Sequence, residues 1–229
     1  MNITALLIIV AALLLLALIG GCVATQPKLQ PISDLKSAHG VVLRGPFNHQ
    51  DVFELDRNLM AFPPSVIKSI SSVSLVYYDY LGPNEAGHCH HTRDICILSG
   101  HLIAIWHEAG HAYHFYLRMI KSPFDREWNE LSKGLYDPNR YSGDPTYPKD
   151  GILSGYGSRT QMEDVAVYVE MIYHRLRMPA TDDMPLFSRP EFKKDFRFRA
   201  KVNLLRKYGF IGEGDYKTFC KLVRLDSED

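Results

Sequence analysis

The sequence predicts an α+β domain in which a small sheet is followed by a set of helices. Segments 73–81 and 95–98 are rich in β-branched, aromatic or other apolar residues, a composition typical of strands. Segments 101–121 and 160–178 contain no proline and have the length of helices. Segment 190–225 adds two shorter helical stretches. Strands that come before a run of helices, rather than alternating with them, indicate the α+β class.

The composition fits one globular domain with balanced charge. The chain has 229 residues, of which 46% are hydrophobic and 23% are charged, enough for a single core. Its 26 basic and 26 acidic residues give a formal net charge of zero. Because no cluster of basic residues indicates a nucleic-acid partner, we expect none.

The N-terminal segment predicts export and attachment to a membrane. Residues 5–19 are all apolar, and this run is shorter than the roughly 20 residues of a transmembrane helix but suits a signal peptide. The segment Ile19-Gly20-Gly21-Cys22 resembles the lipobox of bacterial lipoproteins, although Met1–Thr4 contain no Lys or Arg. That resemblance implies a signal peptide at 1–21 and acylation of Cys22 after cleavage. An uncleaved anchor and an ordinary signal peptide are the alternatives.

Three parts of the chain follow from this interpretation. After the signal peptide, the polar residues 22–39 with their two prolines are expected to tether the lipid to a folded domain at 40–229. The protein would then lie in the bacterial cell envelope, held to a membrane by its lipid anchor. Val23 is not the aspartate that keeps many lipoproteins in the inner membrane. The resemblance therefore favours the periplasmic face of the outer membrane.

Export changes how the remaining cysteines are interpreted. Cys89, Cys96 and Cys220 would lie in an oxidising compartment, where disulfides form and persist. Three thiols allow three pairings, and the sequence alone does not choose among them. Cys89 and Cys96 would close a short local loop, so we expect this pair.

The segment His107-Glu108-Ala109-Gly110-His111 is an HExxH pattern within the predicted 101–121 helix. Histidines at positions i and i+4 project from one face, so both imidazoles can bind one ion. Glu108 lies about 100° around the helix, where it can take a proton from a metal-bound water. Zinc lowers the pKa of such a water towards about 7. The pattern therefore predicts a zinc site with Glu108 as general base.

A catalytic zinc site needs a third protein ligand. His114 lies on the same helix face, but about 10 Å along the axis from His107, too far for one tetrahedral ion. The metzincin pattern would place a glycine at position 114 and a histidine at 117, and this sequence has His114 and Leu117. A carboxylate from the 160–178 helix is the remaining source, with Glu163, Asp164 and Glu170 as candidates.

The segment Tyr156–Glu163 resembles part of the anthrax lethal factor-like metallopeptidases, a gluzincin family. There a Tyr-Gly pair in a loop precedes the zinc-binding glutamate, with the tyrosine seven residues before it, and the HEAGH helix also matches. The resemblance implies that Glu163 is the third zinc ligand and that Tyr156 stabilises the oxyanion. Ala166 matches a small residue of that family, but Val167 stands where the family has a second glutamate. Glu170 remains the alternative ligand.

The same resemblance implies a zincin-like architecture around the site. A second helix bears the third ligand, and the C-terminal part is helical. In gluzincins, the strand before the HExxH helix is an edge strand that can pair with extended substrate. Segment 95–98 has this place in the sequence, and a purely structural strand is the alternative. We also expect Asp164 to accept a hydrogen bond from a zinc-binding histidine, as carboxylates commonly do, with a surface aspartate as the alternative.

These observations predict a zinc metallopeptidase that hydrolyses peptide or protein substrates. The expected cofactor is zinc, held by His107, His111 and Glu163, with Glu108 and Tyr156 as catalytic groups. A non-catalytic zinc-binding or peptide-binding module on the same scaffold is one alternative. A zinc amidase that acts on cell-wall peptides is another, since its chemistry would be the same.

Overall fold

The computed structural model describes residues 36–77, 81, 85–178 and 190–225. The predicted signal peptide at 1–21, Cys22 and most of the predicted tether lie outside these residues. The last four tether residues, 36–39, belong to the folded unit, since Lys36 forms a β-bridge with Val42. Within the described part of the chain, we find no helix with the length and apolar character needed to cross a membrane.

A four-stranded mixed sheet has the strand order β1-β2-β4-β3. β1 (Val42–Arg44), β2 (Ser72–Val76) and β4 (Asp94–Leu98) are parallel, and β3 (Gly87–Cys89) is antiparallel to β4. β4 matches the predicted 95–98 strand, whereas β2 ends earlier than the predicted 73–81 segment. With the helices described next, the sheet confirms the α+β class.

Helices make up most of the rest of the described chain. They are α1 (His49–Leu59), α2 (Pro64–Ser69), α3 (Ile105–Met119), α4 (Phe124–Ser132), α5 (Gln161–Arg177), α6 (Pro190–Lys194), α7 (Phe196–Lys207) and α8 (Glu213–Val223). α3 begins after a 3-10 turn at Leu102–Ala104, so the predicted 101–121 helix is shorter than expected. α5 and the pair α7 and α8 fall where the sequence predicts helices. α6 is a further short helix.

The edges of the sheet are β1 and β3, so segment 95–98 does not form an edge, in agreement with the alternative of a purely structural strand. β4 is an inner strand, in which Ile95 pairs with Val73 of β2 and Cys96 pairs with His88 of β3. β3 has only three residues, too few to show a strand periodicity in the sequence. Both β3 and β4 contact α3. An edge strand therefore does pack on the HExxH helix.

α3 is the central helix, packed between the sheet and α5. All ten residues from Ile105 to His114 are buried, which includes the complete HExxH segment. Gly110 allows the two helices to approach closely, because a Cβ at this position would lie only 3.2 Å from Ala166 Cα. The middle of the HExxH segment thus lies directly against the helix that was expected to bear the third ligand.

The C-terminal helices are fixed to this central pair by buried aromatic residues. The Tyr113 hydroxyl of α3 donates to Tyr208 O, and the Tyr173 hydroxyl of α5 donates to Phe210 O, both at 2.9 Å. Phe124 packs against Phe210 and Trp128. Since both hydroxyls donate to the backbone just after α7, the end of α7 is tied to α3 and α5.

The structure contradicts the predicted disulfide between Cys89 and Cys96. Both residues are free thiols in buried positions. Cys89 pairs with Ile95, whereas Cys96 pairs with His88, so the two cysteines occupy neighbouring rungs of the β3–β4 ladder. Side chains on neighbouring rungs point to opposite faces of a sheet, which separates the two sulfur atoms.

Candidate metal centre

The two histidines of the HExxH segment converge on one point inside the protein. His107 and His111 lie one turn apart on α3, with ring centroids 4.8 Å apart. Their Nε2 atoms lie 3.1 Å from each other. The i, i+4 spacing accounts for this proximity, because it stacks both side chains on one helix face.

Glu163 completes a cluster with these histidines. Its Oε2 lies 3.1 Å from His107 Nε2 and 3.4 Å from His111 Nε2. Thr160 caps α5 and accepts a hydrogen bond from the Glu163 backbone N–H, which places the carboxylate on the first turn of that helix. The three ligand atoms lie within 4.8 Å of one another, so this group could hold a metal ion. The sequence predicts this set of three residues.

Glu170 lies two turns after Glu163 on α5 and contacts the other nitrogen of the same imidazole. Its Oε2 is 3.0 Å from His107 Nδ1, on the side of the ring away from Glu163. A carboxylate here fixes the ring orientation and leaves Nε2 directed at the cluster. Glu170 is therefore placed to orient a ligand rather than to be the third ligand itself. Its seven-residue spacing from Glu163 puts both on one face of α5, and this spacing is a signal of their shared site that is present in the sequence.

Asp164 does not accept a hydrogen bond from a histidine of the cluster, so the prediction of that role is wrong. It is fully buried on a different face of α5, and its Oδ2 accepts hydrogen bonds from Trp128 Nε1 and the Tyr136 hydroxyl, both at 2.9 Å. Lys201 of α7 donates to the same oxygen at 2.5 Å. Because α5 turns by about 100° per residue, Asp164 points into the core while its neighbour Glu163 faces the histidines. Glu170 takes the role that was expected of Asp164.

Glu108 is buried beside the cluster, with 5% of its surface exposed. Burial raises its pKa to about 7, a shift that His107 opposes and that the nearby Glu163 and Glu170 carboxylates increase. Gly87 of β3 leaves room for it, since a Cβ there would lie 2.8 Å from Glu108 Cγ. A carboxyl group with a pKa near 7 can both accept and release a proton at neutral pH.

Tyr156 lies across the same cleft from Glu108. Its ring centroid is 5.8 Å from that of His107. The residue lies at the end of the long loop 133–156, which leads from α4 towards α5. Burial and the Glu163 carboxylate raise its pKa, so the phenol keeps its proton and can donate a hydrogen bond. The cleft has a volume of about 310 Å³, and its walls also include Glu85, His88, Cys89, Phe115 and Met162.

The charges around the histidines are closely coupled. Burial lowers the pKa of His107, but hydrogen bonds to Glu163 and Glu170 outweigh this and raise it to about 10. Burial raises the pKa of Glu163, yet its hydrogen bonds with His107 and His111 lower the pKa well below the usual value. A proton on His107 would thus be held between two carboxylates. A metal ion must displace that proton in order to bind Nε2.

His114 lies outside the cluster, in agreement with the helix geometry. Its Nε2 is 2.5 Å from Asp125 Oδ1, and its ring packs edge-on against Phe124. Arg118 binds the other oxygen of Asp125 at 2.9 Å. This buried histidine therefore belongs to a part-buried polar contact between α3 and α4.

The fold and the cluster define a class: an α+β protein with a buried His/His/Glu group that could hold a metal ion, next to a buried glutamate. In comparisons with protein families, curated proteins and solved structures, nothing matches the chain.

Proposed function

We propose that this protein is a zinc-dependent metallopeptidase of the gluzincin type. His107, His111 and Glu163 hold the metal, Glu108 is the general base and Tyr156 binds the oxyanion. The observation that carries the proposal is the convergence of two imidazole Nε2 atoms and one carboxylate oxygen beside a buried glutamate. A catalytic site of this kind uses three protein ligands and leaves the fourth position to water or substrate.

The spacing of the three donor atoms supports zinc. A tetrahedral ion with bonds of about 2.0–2.1 Å requires its ligand atoms to be about 3.3–3.4 Å apart. The donor atoms here are separated by 3.1, 3.1 and 3.4 Å. Imidazole and carboxylate ligands suit zinc, and the set lacks the softer thiolates that favour copper(I) or iron–sulfur clusters.

The residues of the cleft can carry the proton transfers of peptide hydrolysis. Bound zinc would polarise the attacking water and the scissile carbonyl. Glu108 takes a proton from the attacking water and then gives it to the leaving amine, so no net proton stays on the enzyme. Tyr156 donates a hydrogen bond to the oxygen of the former carbonyl as negative charge develops there. Glu170 holds the His107 ring in a fixed orientation throughout.

The edge strand supports a peptide as the substrate. On either side of β3, Leu98 N donates to Ala86 O and His90 N donates to Asp94 O, so residues 86 and 90 bond to β4. Alternate residues of an antiparallel strand direct their backbone groups to opposite sides. The N–H and C=O groups of Gly87 and Cys89 are thus directed away from β4, and among the described residues no strand pairs with that side of β3, where an extended peptide in the cleft could bind.

The lipid anchor on Cys22 is part of the proposal, and it would hold the domain at the periplasmic face of the outer membrane. Mass spectrometry of the protein extracted from membranes should find an acylated N-terminal cysteine. An unmodified chain that still begins at Met1 would contradict the anchor, but it would leave the peptidase chemistry unaffected.

Peptide-library cleavage by the purified, zinc-loaded protein tests the proposed activity. Products are identified by mass spectrometry, with and without a zinc chelator. Glu108→Gln is the matched control, because it keeps all three ligands and removes only the proton acceptor. We expect cleavage by the wild type, loss of cleavage with the chelator, and no turnover by Glu108→Gln at full zinc content.

Tyr156→Phe should also keep zinc and lose roughly 10²–10³-fold in kcat, the typical cost of one oxyanion donor. Zinc binding without any turnover would instead favour the non-catalytic module. Cleavage confined to cell-wall peptides would favour the amidase. Substantial turnover by Glu108→Gln would overturn the mechanism.

A further inference from the structure

Lys201 is a buried lysine behind the metal cluster. It lies on α7, and its side chain is fully buried. Its Nζ donates to Asp164 Oδ2 at 2.5 Å and to Gly151 O at 2.7 Å. The ammonium also lies over the rings of Trp128 and Tyr168. One cation thus joins α7 to two segments that are distant from it in sequence.

A contribution to stability alone does not explain the hydrogen-bond network around Lys201. Three donors converge on Asp164 Oδ2, which suits an ionised carboxylate because it only accepts hydrogen bonds. Buried ion pairs of this kind are weak sources of stability, since the loss of hydration offsets much of the attraction. Hydrophobic residues of the same volume would fill this space at lower cost. A role in fixing the geometry is therefore the better explanation.

Both segments that Lys201 holds lead directly to the metal centre. Asp164 is the residue next to Glu163 on the first turn of α5. Gly151 lies five residues before Tyr156, and its carbonyl also accepts from the Tyr168 hydroxyl at 2.8 Å. Between them, Ser154 Oγ accepts from Gly157 N, and Ser158 N donates to Ser154 O. The loop from Gly151 to Tyr156 is thus anchored at one end by the same cation that anchors Glu163's helix turn.

We propose that Lys201 is a positioning residue that fixes the Tyr156 loop relative to the helix turn bearing Glu163. Its ammonium sets the distance between the two segments, because it bonds to both Asp164 and Gly151 at once. The proposed effect on turnover rests on the proposed function, whereas the effect on loop geometry does not. A displacement of about 1 Å in such a site can reduce the rate by roughly 100-fold.

Lys207 provides a matched control on the same helix. Its Nζ lies 2.6 Å from Glu127 Oε2, a distance similar to that of the Lys201 pair, but the lysine side chain is 56% exposed. Its described partners are Glu127 and Tyr208, which do not belong to the loop or to α5. Lys207→Met therefore removes a lysine of equal length and an ion pair, and it leaves the metal centre unaffected.

Amide hydrogen exchange of the metal-free full chain tests the geometry without any activity. Lys201→Met keeps the side-chain length and removes the donor. We expect exchange of the Ile152, Ser158 and Arg159 amides, which donate to backbone carbonyls, to accelerate at least about 10-fold, with the amides of α3 unchanged. Lys207→Met should leave all of these rates unchanged. Unaltered loop exchange in Lys201→Met, or equal acceleration throughout the chain, overturns the proposal.

A second variant covers the case in which Lys201→Met does not fold. Lys201→Met combined with Asp164→Asn leaves no unpaired charge in the core, and the amide can still accept from Trp128 and Tyr136. The loop amides should again exchange faster in this variant. Native exchange rates in it would equally overturn the proposal.

A double-mutant cycle on kcat separates positioning from general destabilisation. We expect Lys201→Met to lower kcat by about 10-fold to 100-fold, with KM within about 3-fold of the wild type. In a Tyr156→Phe background the same change should cost little more, because the group that Lys201 positions is already gone. Independent, multiplicative losses would contradict the proposal. Absence of turnover by the zinc-loaded wild type would instead refute the proposed function, with the exchange data still deciding on Lys201.

Discussion

Glu163 and Asp164 are neighbours in sequence, yet they lie in opposite surroundings. The Glu163 side chain is 23% exposed and faces two histidines in the cleft. The Asp164 side chain is completely buried and faces a lysine, a tryptophan and a tyrosine in the core. Both carboxylates are surrounded by hydrogen-bond donors. Only the partners of Glu163, the two histidines, could release their protons and bind a metal ion instead.

The difference shows that burial alone does not identify a functional carboxylate. Asp164 is more buried than Glu163, but three donors within the protein bind its Oδ2, and its Oδ1 is enclosed in the core away from the cleft. The histidines around Glu163 are donors only when protonated, and as neutral imidazoles they become metal ligands. The identity of the partner therefore decides between a structural and a functional role. Four substitutions test this distinction, from the largest expected effect to the smallest.

Glu163→Ala should have the largest effect, and it should act on the metal. Loss of a direct ligand is expected to weaken zinc binding by more than the roughly 100-fold that follows loss of an outer partner. Cleavage should disappear with the metal. Chelator competition measures the affinity, with Glu127→Ala, which breaks only the pair with Lys207, as the control that should bind zinc normally. Full zinc occupancy in Glu163→Ala would mean that another residue is the third ligand.

Asp164→Ala should act on stability instead. It leaves the Lys201 ammonium and two further donors buried without their acceptor, which typically costs about 3–5 kcal/mol in unfolding free energy. Urea unfolding of the metal-free protein measures this loss. Glu127→Ala, which breaks the exposed pair with Lys207, should cost at most about 1 kcal/mol. The interpretation fails if the two substitutions prove equally costly.

Glu108 is a third carboxylate, and burial raises its pKa by more than the attraction of His107 lowers it. Glu108→Gln tests the consequence for stability. The pKa of Glu108 rises from 4.5 to about 7 on folding, so the folded protein binds this proton more tightly than the unfolded chain. The metal-free protein should therefore lose stability as the pH rises from 4.5 to about 7. Since one pKa unit corresponds to about 1.4 kcal/mol, the loss reaches about 3 kcal/mol.

The Glu108→Gln protein lacks this titratable carboxyl group and should be more stable than the wild type at pH 8. At pH 4.5 the two should differ little. Urea unfolding of both metal-free proteins across this pH range measures the effect. Parallel stability profiles would show that Glu108 does not have the raised pKa.

Glu170→Ala should have the smallest effect. His107 loses the carboxylate that fixes its ring, and such losses weaken metal binding by about 10–100-fold. Glu170→Gln should lose less, because the amide oxygen can still accept from His107 Nδ1. Chelator competition compares the two variants. A loss as large as that of Glu163→Ala would indicate that Glu170 binds the metal directly.

The sequence alone determined the features that depend on short-range periodicity. The HExxH spacing placed His107 and His111 on one helix face, and the structure brings them together with Glu163. Proline-free segments located α3 and α5, and the strand composition located β2 and β4. These features follow from residues within a few turns of each other, so local geometry is sufficient to predict them.

The tertiary structure alone decided which neighbours each side chain meets. It turned Asp164 towards Lys201, a residue 37 positions away, and brought Glu170 to His107 across 63 positions. It also placed β3, rather than β4, at the edge of the sheet beside the cleft, and it put Cys89 and Cys96 on opposite faces of the sheet. The physical reason is that helical and strand periods fix which residues share a face. They contain no information about the distant segment that packs on that face.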